Sequence, residues 1–297
     1  MKAAAPAESC PQLVGDALRW AVRLLVARGA DTPRLDAELL LAHLLDVDRA
    51  QVLIRRDDCL TPTQVERFTE LVQRRVRHEP VAYLIGERAF YDVDLRVTPA
   101  TLIPRPETEH LVEEALTWAK KQSGRLRVVD VGTGSGAIAI VLARHLPEAT
   151  VWAVDLSLPA LRVAWENVRR YGLSERVWLV QSNLLKPMGA AFDLILANLP
   201  YVSMADMAVL EPNVADYEPH LALEGGTDGT EIMTRLIEQL PARLACPGLA
   251  LFEIDPRQAG PLQAAAAVLL PDARALLVHD LAGHERVLRI ERGEGET

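Results

Sequence analysis

Apolar residues recur every three or four positions between about residues 11 and 85, which is the spacing of amphipathic helices. Thr32-Pro33 and Thr61-Pro62 each place a hydroxyl side chain before a proline, as is typical of a helix start. Gln64 stands three positions after Thr61, so the second start carries a capping box. The stretch has few aromatic residues that could line a cofactor pocket. The pattern predicts a helical domain over residues 1–87 that serves packing or docking.

The periodicity changes near residue 88. Phe90, Val93, Leu95 and Val97 lie there among β-formers and prolines, so we predict a strand pair or an extended linker over residues 88–106. A helical stretch follows from residue 107 to residue 121.

From residue 125 onward, short apolar strands alternate with helical stretches. Such alternation predicts an α/β domain over residues 107–297, with a mostly parallel sheet and helices on both faces. The predicted strands are Leu126–Val131, Thr150–Asp155, Val177–Gln181, Phe192–Ala197, Leu249–Ile254, Ala275–His279 and Arg286–Ile290.

Composition narrows the class of protein. The 297 residues are 49% hydrophobic and 25% charged, as in an ordinary globular protein, and the net charge of −9 argues against a protein that coats nucleic acid or an anionic membrane. The three cysteines are too scattered for a metal or redox site. No apolar run approaches the roughly 18 residues that span a bilayer. We expect a cytoplasmic protein without a metal.

A glycine-rich turn follows the first strand of the α/β domain: Gly132-Thr133-Gly134-Ser135-Gly136. Glycines let the backbone approach a nucleotide closely at the carboxyl end of a strand. Such loops also occur in nicotinamide enzymes, and a packing turn beside a chance acid is a third interpretation. Two carboxylates favour a nucleotide-like cofactor other than nicotinamide over these two interpretations. Asp130 precedes the first glycine by two positions, and Asp155 ends the next strand, where it can accept hydrogen bonds from both hydroxyls of a ribose.

This combination resembles the cofactor site of class I S-adenosylmethionine methyltransferases, which have a Rossmann-like fold. The resemblance places Asp130, the glycine loop, and Asp155 with its neighbour Leu156 at the cofactor. Asn183 follows the third strand, where such enzymes often carry an acid near the adenine, and its amide can hydrogen-bond the adenine edge. Leu184 beside it offers an apolar wall.

The fourth strand ends in Asn198-Leu199-Pro200-Tyr201. An amide or aniline-like nitrogen is a poor nucleophile because its lone pair is delocalised. The Asn198 side-chain oxygen and the Leu199 carbonyl can accept both of its hydrogens, which orients the nitrogen and stabilises developing charge. Tyr201 offers a ring face to a flat group. A proline-directed turn is the structural alternative, and the position after a strand favours catalysis. Asn198 also borders the cofactor.

The chain as a whole resembles the release-factor glutamine methyltransferases of the HemK/PrmC family. The resemblance rests on five segments: Arg34–Leu41, Glu79–Gly86, Leu102–Glu109, Tyr217–Gly226 and Asp280–Val287. It implies methyl transfer from S-adenosylmethionine to the amide nitrogen (N5) of the glutamine in the Gly-Gly-Gln motif of class I peptide chain release factors. S-adenosylhomocysteine is then the product. It also implies that the helical domain helps to hold the release factor.

Arg105 and Glu107, within the most distinctive segment, are candidates for substrate contact. A structural lid or hinge explains them at least as well, with Arg105 paired to a carboxylate and the acid near a helix start. Three positions depart from the family: Leu199 replaces a usual proline, Asn183 a usual acid, and Asp255 a common glycine.

Other functions remain open at this point. An rRNA adenine N6-methyltransferase presents the same two hydrogens, although such enzymes append their extra domain after the catalytic one. A ribosomal-protein glutamine methyltransferase is the sister class. A non-catalytic binding protein on the same fold is the third. We expect a monomer that binds release factors and neither a membrane nor nucleic acid directly.

Overall fold

The computed structural model describes residues 9–280 and 282–293. Residue 281 of the family segment that starts at Asp280, and the outer ends of both expected domains, lie outside the described residues. The chain divides into two compact units, one running up to Gly86 and including Pro212–Tyr217, the other comprising Glu87–Glu211 and the chain from Glu218 onward.

Five helices form most of the first unit, and a short later helix, α10 (Pro212–Ala215), belongs to it as well. Their bounds are α1 Val14–Ala27, α2 Pro33–Leu45, α3 Arg49–Ile54, α4 Pro62–Val76 and α5 Val81–Ile85. The core contains Trp20, Leu40, Leu41 and Phe68, with the Trp20 and Phe68 ring centroids 6.2 Å apart. Apolar burial along one face follows the predicted periodicity in α1 and α4. Helix α2 departs from it, since it buries Asp36, Ala37 and Glu38 in succession and leaves Leu35 exposed.

Two buried acids on α2 tie this helix to its neighbours. The Arg75 guanidinium donates to Asp36 at 2.7 Å, which joins α4 to α2. Glu38 accepts from Arg34 and from Arg49 at 2.9 and 2.7 Å, and its carboxyl pKa is lowered by these partners although burial opposes them. Arg75 therefore belongs to a buried ion pair rather than to the solvated basic helix end that a run of arginines usually forms.

The two predicted helix starts differ. Thr61 caps α4 with the capping box that Gln64 completes. Thr32 does occupy the N-cap of α2, but its hydroxyl donates to Asp36 at 2.7 Å and caps no backbone N–H. The carboxylate of Asp36, one turn inside the helix, is a charged acceptor for the hydroxyl proton.

The second unit contains a two-stranded hairpin and a seven-stranded sheet. The strand bounds are β1 Glu87–Phe90, β2 Val93–Arg96, β3 Arg127–Val131, β4 Thr150–Asp155, β5 Val177–Gln181, β6 Phe192–Ala197, β7 Leu244–Glu253, β8 Ala273–His279 and β9 Glu285–Arg292. The hairpin is β1–β2, and the order in the sheet is β5-β4-β3-β6-β7-β9-β8. The first five strands in this order run parallel to one another, and β9 is antiparallel to both β7 and β8.

Helices cover both faces of this sheet, because alternate residues of its buried strands enter different cores. The helices are α6 Thr108–Ala119, α7 Ala137–His145, α8 Leu158–Arg170, α9 Met204–Met207, α11 Glu231–Ile237, α12 Leu240–Arg243 and α13 Ala259–Leu269. On β3, Val128 belongs to a core shared with the hairpin and with α6–α8, whereas Val129 belongs to the core under α11–α13. The predicted mostly parallel α/β sheet is confirmed.

The hairpin β1–β2 is an integral part of the second unit. Phe90, Val93 and Leu95 are buried in its core. Buried Asn167 of α8 accepts from the Arg96 N–H at 2.8 Å and donates to the carbonyl oxygens of Arg96 and Ser135 at 2.9 and 2.8 Å. One side chain thus connects the hairpin to the glycine loop. Within the described part of the chain, no helix is long and apolar enough to cross a bilayer.

Candidate active site

The carboxyl ends of β3, β4, β5 and β6 meet at one edge of the sheet, beside a cavity of about 460 Å³. Its volume suits a nucleotide-sized ligand. Of the residues singled out from the sequence, those that line it are Arg105, Gly132, Thr133, Gly134, Ser135, Asp155, Leu156, Asn183, Leu184, Asn198, Leu199 and Pro200. Four do not line it: Glu107, Asp130, Gly136 and Tyr201.

The glycine loop follows β3 directly and opens onto the cavity. Gly132 has φ +78°, in the left-handed region that strains residues with a β-carbon. Gly136 also has a left-handed φ of +85°, and a β-carbon there would approach Ile140 to 3.2 Å and Ala164 to 3.4 Å, so this glycine is needed for both conformation and space.

Asp155, at the end of β4, holds the two loops that border the cavity. Its Oδ2 accepts from the Gly134 N–H at 2.9 Å and its Oδ1 from the Ser157 N–H at 2.8 Å. Burial raises the pKa of this carboxyl. Each carboxylate oxygen has two lone pairs, so both can accept a further hydrogen bond from a diol in the cavity.

Asp130 lies under the glycine loop, fully buried. One oxygen, Oδ2, accepts from the Thr133 hydroxyl at 2.6 Å and from the Ala139 N–H at 3.2 Å. Its other oxygen has no hydrogen-bond partner among the described residues. Burial raises the pKa of Asp130 to about 7. The contacts make Asp130 a support for the loop and the start of α7.

Asn183 and Leu184 follow β5. The Arg235 guanidinium of α11, which also lines the cavity, donates to the Asn183 Oδ1 at 3.0 Å. With its oxygen paired to Arg235, the Asn183 side chain has its NH2 group left to offer, a donor where an acid would offer an acceptor. Leu184 is buried and supplies the apolar wall.

Asn198 ends β6 inside the cavity lining. Its Nδ2 donates to the Thr108 hydroxyl oxygen at 2.9 Å, and the Thr108 hydroxyl in turn donates to Glu253 Oε2 at 2.6 Å. Because the NH2 group is committed to Thr108, the Asn198 carbonyl oxygen is presented on the other side of the amide. The arrangement offers a hydrogen-bond acceptor at the carboxyl edge of the sheet.

Tyr201 is half-buried beside Glu253, and burial with that carboxyl raises its pKa to about 12. Its carbonyl oxygen accepts from Gln258 Nε2 at 2.7 Å, which fixes the end of the loop. Asn198, Leu199 and Pro200 line the cavity, whereas Tyr201 does not. The structure therefore does not place the Tyr201 ring where the sequence led us to expect it, facing a flat substrate group in the cavity.

Arg105 pairs with Glu218, whose side chain is 1% exposed. Glu218 also accepts from the Ile103 N–H at 3.2 Å. The pair closes the segment before α6 onto the chain that follows the Asn198 loop. Glu107 is the exposed N-cap residue of α6, so the helix starts one residue later than predicted.

Several site residues were not found from the sequence. They are Phe90, Leu102, Thr108, Ser157, Ser182, Pro219, Leu221, Ile232 and Arg235 in the cavity lining, and Glu253 behind it. Six of them had a signal: Ser157 and Ser182 each neighbour a residue already singled out, and Leu102, Thr108, Pro219 and Leu221 lie in segments that carry the family resemblance. No sequence signal indicated that the others meet at this cavity, because they come from elements far apart along the chain.

Comparison with known proteins identifies the family. Residues 16–86 match the PrmC N-terminal domain, and residues 109–227 match the methyltransferase small domain. A release factor glutamine methyltransferase of Rhodopirellula baltica is 42% identical over 95% of this chain and 97% of that protein. The chain belongs to the release factor glutamine methyltransferase family. A second member, from Moorella thermoacetica, is 39% identical over 94% of this chain and 98% of its own length.

A solved structure supports the fold. A methyltransferase from Pyrococcus furiosus has a TM-score of 0.52 at 16% identity, covering 79% of this chain and 100% of its own.

As a methyltransferase of this family, the protein uses S-adenosylmethionine as the methyl donor. The described residues fit that molecule. Asp155 keeps acceptor capacity for a ribose diol, Leu184 offers an apolar wall for a base, and Gly132 and Gly134 let the loop backbone approach the ligand.

Two departures from the family have a physical explanation here. Leu199, in place of the usual proline, is 5% exposed and packs against the glycine loop at Gly132. Asp255, in place of a common glycine, has φ −75° and caps the turn of 3-10 helix at 256–258, while it pairs with Arg257 at 2.9 Å. Neither position requires the residue that the family usually carries.

Proposed function

We propose that the protein transfers a methyl group from S-adenosylmethionine to the side-chain amide nitrogen, N5, of the glutamine in the Gly-Gly-Gln motif of class I peptide chain release factors. The observation that carries the proposal is the orientation of Asn198, whose NH2 is held by Thr108 so that its oxygen can accept a substrate N–H. The names of the relatives supply the glutamine and the release factor.

Two acceptors orient the substrate amide in this proposal. The Asn198 oxygen takes one N–H, and the Leu199 carbonyl takes the other. S-adenosylmethionine supplies a methyl group on a positively charged sulfur. The nitrogen–carbon bond forms as the sulfur–carbon bond breaks, S-adenosylhomocysteine leaves, and the nitrogen loses one proton to solvent. Acceptors already in place stabilise the positive charge that develops on the nitrogen.

The cavity residues contribute separately. Asp155 holds the ribose, and Asn183 donates to an acceptor of the adenine edge. Thr133 and Ser135 with the glycine loop border the donor, and Pro200 lies beside the acceptor. Asp130 acts through the loop that it supports. Arg105 pairs with Glu218 and thereby holds the segment before α6 against the chain that follows the Asn198 loop.

The helical unit is the docking domain in this proposal, with residues 1–87 binding the release factor and residues 107–297 carrying the chemistry. Its match to the PrmC N-terminal domain supports this division. We further propose that the enzyme acts as a monomer in the cytoplasm, where release factors reach the ribosome, and that it contacts no nucleic acid directly.

An assay with labelled S-adenosylmethionine identifies which substrate receives the methyl group. The purified protein is incubated with an unmethylated class I release factor, with the same factor carrying Gln→Ala in its Gly-Gly-Gln motif, and with rRNA. We expect label on the first only, at the glutamine. Label on adenine would instead establish the adenine methyltransferase that the Asn-Leu-Pro-Tyr loop also resembles, and label on a ribosomal protein would establish the sister class.

A further inference from the structure

Thr108 and Glu253 form a chain of hydrogen bonds behind the amide of Asn198. The Asn198 NH2 donates to Thr108 Oγ1 at 2.9 Å, and the Thr108 hydroxyl donates to Glu253 Oε2 at 2.6 Å. Thr108 and Glu253 are each 4% exposed. The three groups come from β6, α6 and β7, and the contacts span 90 and 145 residues of sequence.

While Glu253 is ionised, the direction of donation along this chain is fixed at its buried end. An ionised carboxylate can only accept, so the single proton of the Thr108 hydroxyl points to Glu253. The hydroxyl oxygen then has only lone pairs to offer Asn198, which must turn its NH2 towards it. An Asn198 amide rotated by 180° would set two oxygens against each other without a proton between them.

We propose that Thr108 and Glu253 are positioning residues that fix the rotamer of the Asn198 amide, so that its oxygen and not its NH2 faces the substrate nitrogen. This inference rests on the proposed function, because it matters only for a substrate that donates hydrogen bonds. It assigns a role to two residues that touch neither the substrate amide nor the transferred methyl group.

The ionisation of Glu253 connects this role to pH. Its pKa is raised to about 7, chiefly by burial and in part by Glu107, although Thr108, Arg286 and Arg105 act to lower it. The Tyr201 hydroxyl also faces it, with a pKa raised to about 12, so Tyr201 stays neutral across the working range. A protonated Glu253 can donate to Thr108, which frees the threonine proton and lets the Asn198 amide turn over.

The test compares Thr108→Val with Thr108→Ser in the full-length enzyme. Valine keeps the shape and removes the hydroxyl, and we expect kcat with release factor to fall roughly 10- to 100-fold. KM for release factor and Kd for S-adenosylhomocysteine should change less than about threefold. Serine keeps the hydroxyl and should restore most of kcat. Thr230→Val is the matched control, since the Thr230 hydroxyl also donates to a carboxylate, Asp228 at 2.6 Å, but does not line the cavity.

Glu253→Gln supplies a second readout. Wild-type kcat should fall as the pH drops below about 7, whereas the Gln variant should be slower and lack this acidic limb. A Thr108→Val enzyme with wild-type kcat, or an acidic limb that survives in Glu253→Gln, overturns the inference. Both measurements start from a wild-type enzyme that methylates the release factor. If the proposed function is wrong, the wild type shows no such activity, and this result is seen before any variant is compared. Thermal unfolding of each variant identifies a loss that is only structural.

Discussion

The side chain of Leu199 occupies the space that a β-carbon on Gly132 would need. Such a β-carbon would lie 2.8 Å from Leu199 Cδ2, well inside van der Waals contact. The Asn198–Tyr201 loop after β6 and the glycine loop after β3 are therefore packed directly against each other, on adjacent parallel strands. The leucine that replaces the family's usual proline makes this contact.

Gly132→Ala should disturb both loops. The alanine is strained at φ +78° by about 1 kcal/mol and overpacks Leu199 by a further ~1–3 kcal/mol. We expect the affinity for S-adenosylhomocysteine to fall at least about tenfold, as measured by calorimetry, and the melting temperature to fall with it.

Gly172→Ala is the matched control for that substitution. Gly172 has φ +67° with no atom within 4 Å of a built β-carbon, so its alanine is strained without a clash. Adding Leu199→Ala should recover part of the melting temperature and of the affinity for S-adenosylhomocysteine that Gly132→Ala loses. The same addition should recover nothing in Gly172→Ala. Equal losses in the two single variants would show that the contact with Leu199 does not matter.

Asn198 and Asp155 should have opposite kinetic signatures. In the proposed mechanism Asn198 accepts a hydrogen bond from the reacting nitrogen, so in Asn198→Ala kcat should fall roughly 100- to 1000-fold while the Kd of S-adenosylhomocysteine stays nearly unchanged. Asp155→Ala removes the proposed acceptor for the ribose and the hydrogen bonds to Gly134 and Ser157, so the Kd should rise by at least about tenfold. Steady-state kinetics and calorimetry on the same preparations separate the two.

The outcome that contradicts these roles is a collapse of donor binding in Asn198→Ala. Asp155→Asn serves as the milder control. It keeps one acceptor oxygen and should lie between wild type and Asp155→Ala in affinity.

Arg105→Ala distinguishes a structural role of this arginine from a substrate-binding one. It leaves the 1% exposed Glu218 side chain without its cation, which costs several kcal/mol at a fully buried site. The Arg105 side chain is 32% exposed, so solvent screening reduces the expected loss to about 1–3 kcal/mol of unfolding free energy.

Glu218→Gln in the same chain is the diagnostic second change, because a neutral amide needs no counter-ion. It should return most of the stability lost in Arg105→Ala, as read by urea unfolding. An Arg105→Ala protein with wild-type stability and a selectively raised KM for release factor would instead place Arg105 at the substrate.

Asp130 should make the protein less stable as the pH rises. Its pKa is about 7 in the folded protein against 3.8 for an ordinary aspartate, because burial disfavours the charge. The folded state therefore holds this proton more tightly than the unfolded chain. The stabilisation is complete below about pH 4 and is lost as the pH rises through about 7.

Asp130→Asn removes this titration. Between pH 5 and pH 8 without methyl donor, the wild type should lose roughly 2 kcal/mol more unfolding free energy than the variant. Urea unfolding across that range measures the difference. Glu253→Gln should give a change of the same sign, since the Glu253 carboxyl also has a raised pKa of about 7. Parallel curves for wild type and Asp130→Asn would show that Asp130 stays charged when folded.

Local patterns in the sequence specified most of the elements. Helical spacing predicted the first unit, alternating strands predicted the sheet, and the capping box at Thr61 was confirmed. The positions that border the cavity after β3, β4, β5 and β6 were found for the same reason. In a parallel sheet, the residue after each strand is carried to one edge, so its place along the chain also gives its place in the site.

Tertiary structure alone decided which side chains meet. Thr108 contacts Asn198 across 90 residues and Glu253 across 145, and Arg105 contacts Glu218 across 113. Periodicity and caps report on neighbours within a turn or two of the chain, whereas these contacts depend on which elements pack together. The sequence by itself thus determined a sheet edge with an acceptor amide on it. Only the fold decided which way that amide faces, because the two groups that hold it arrive from other elements.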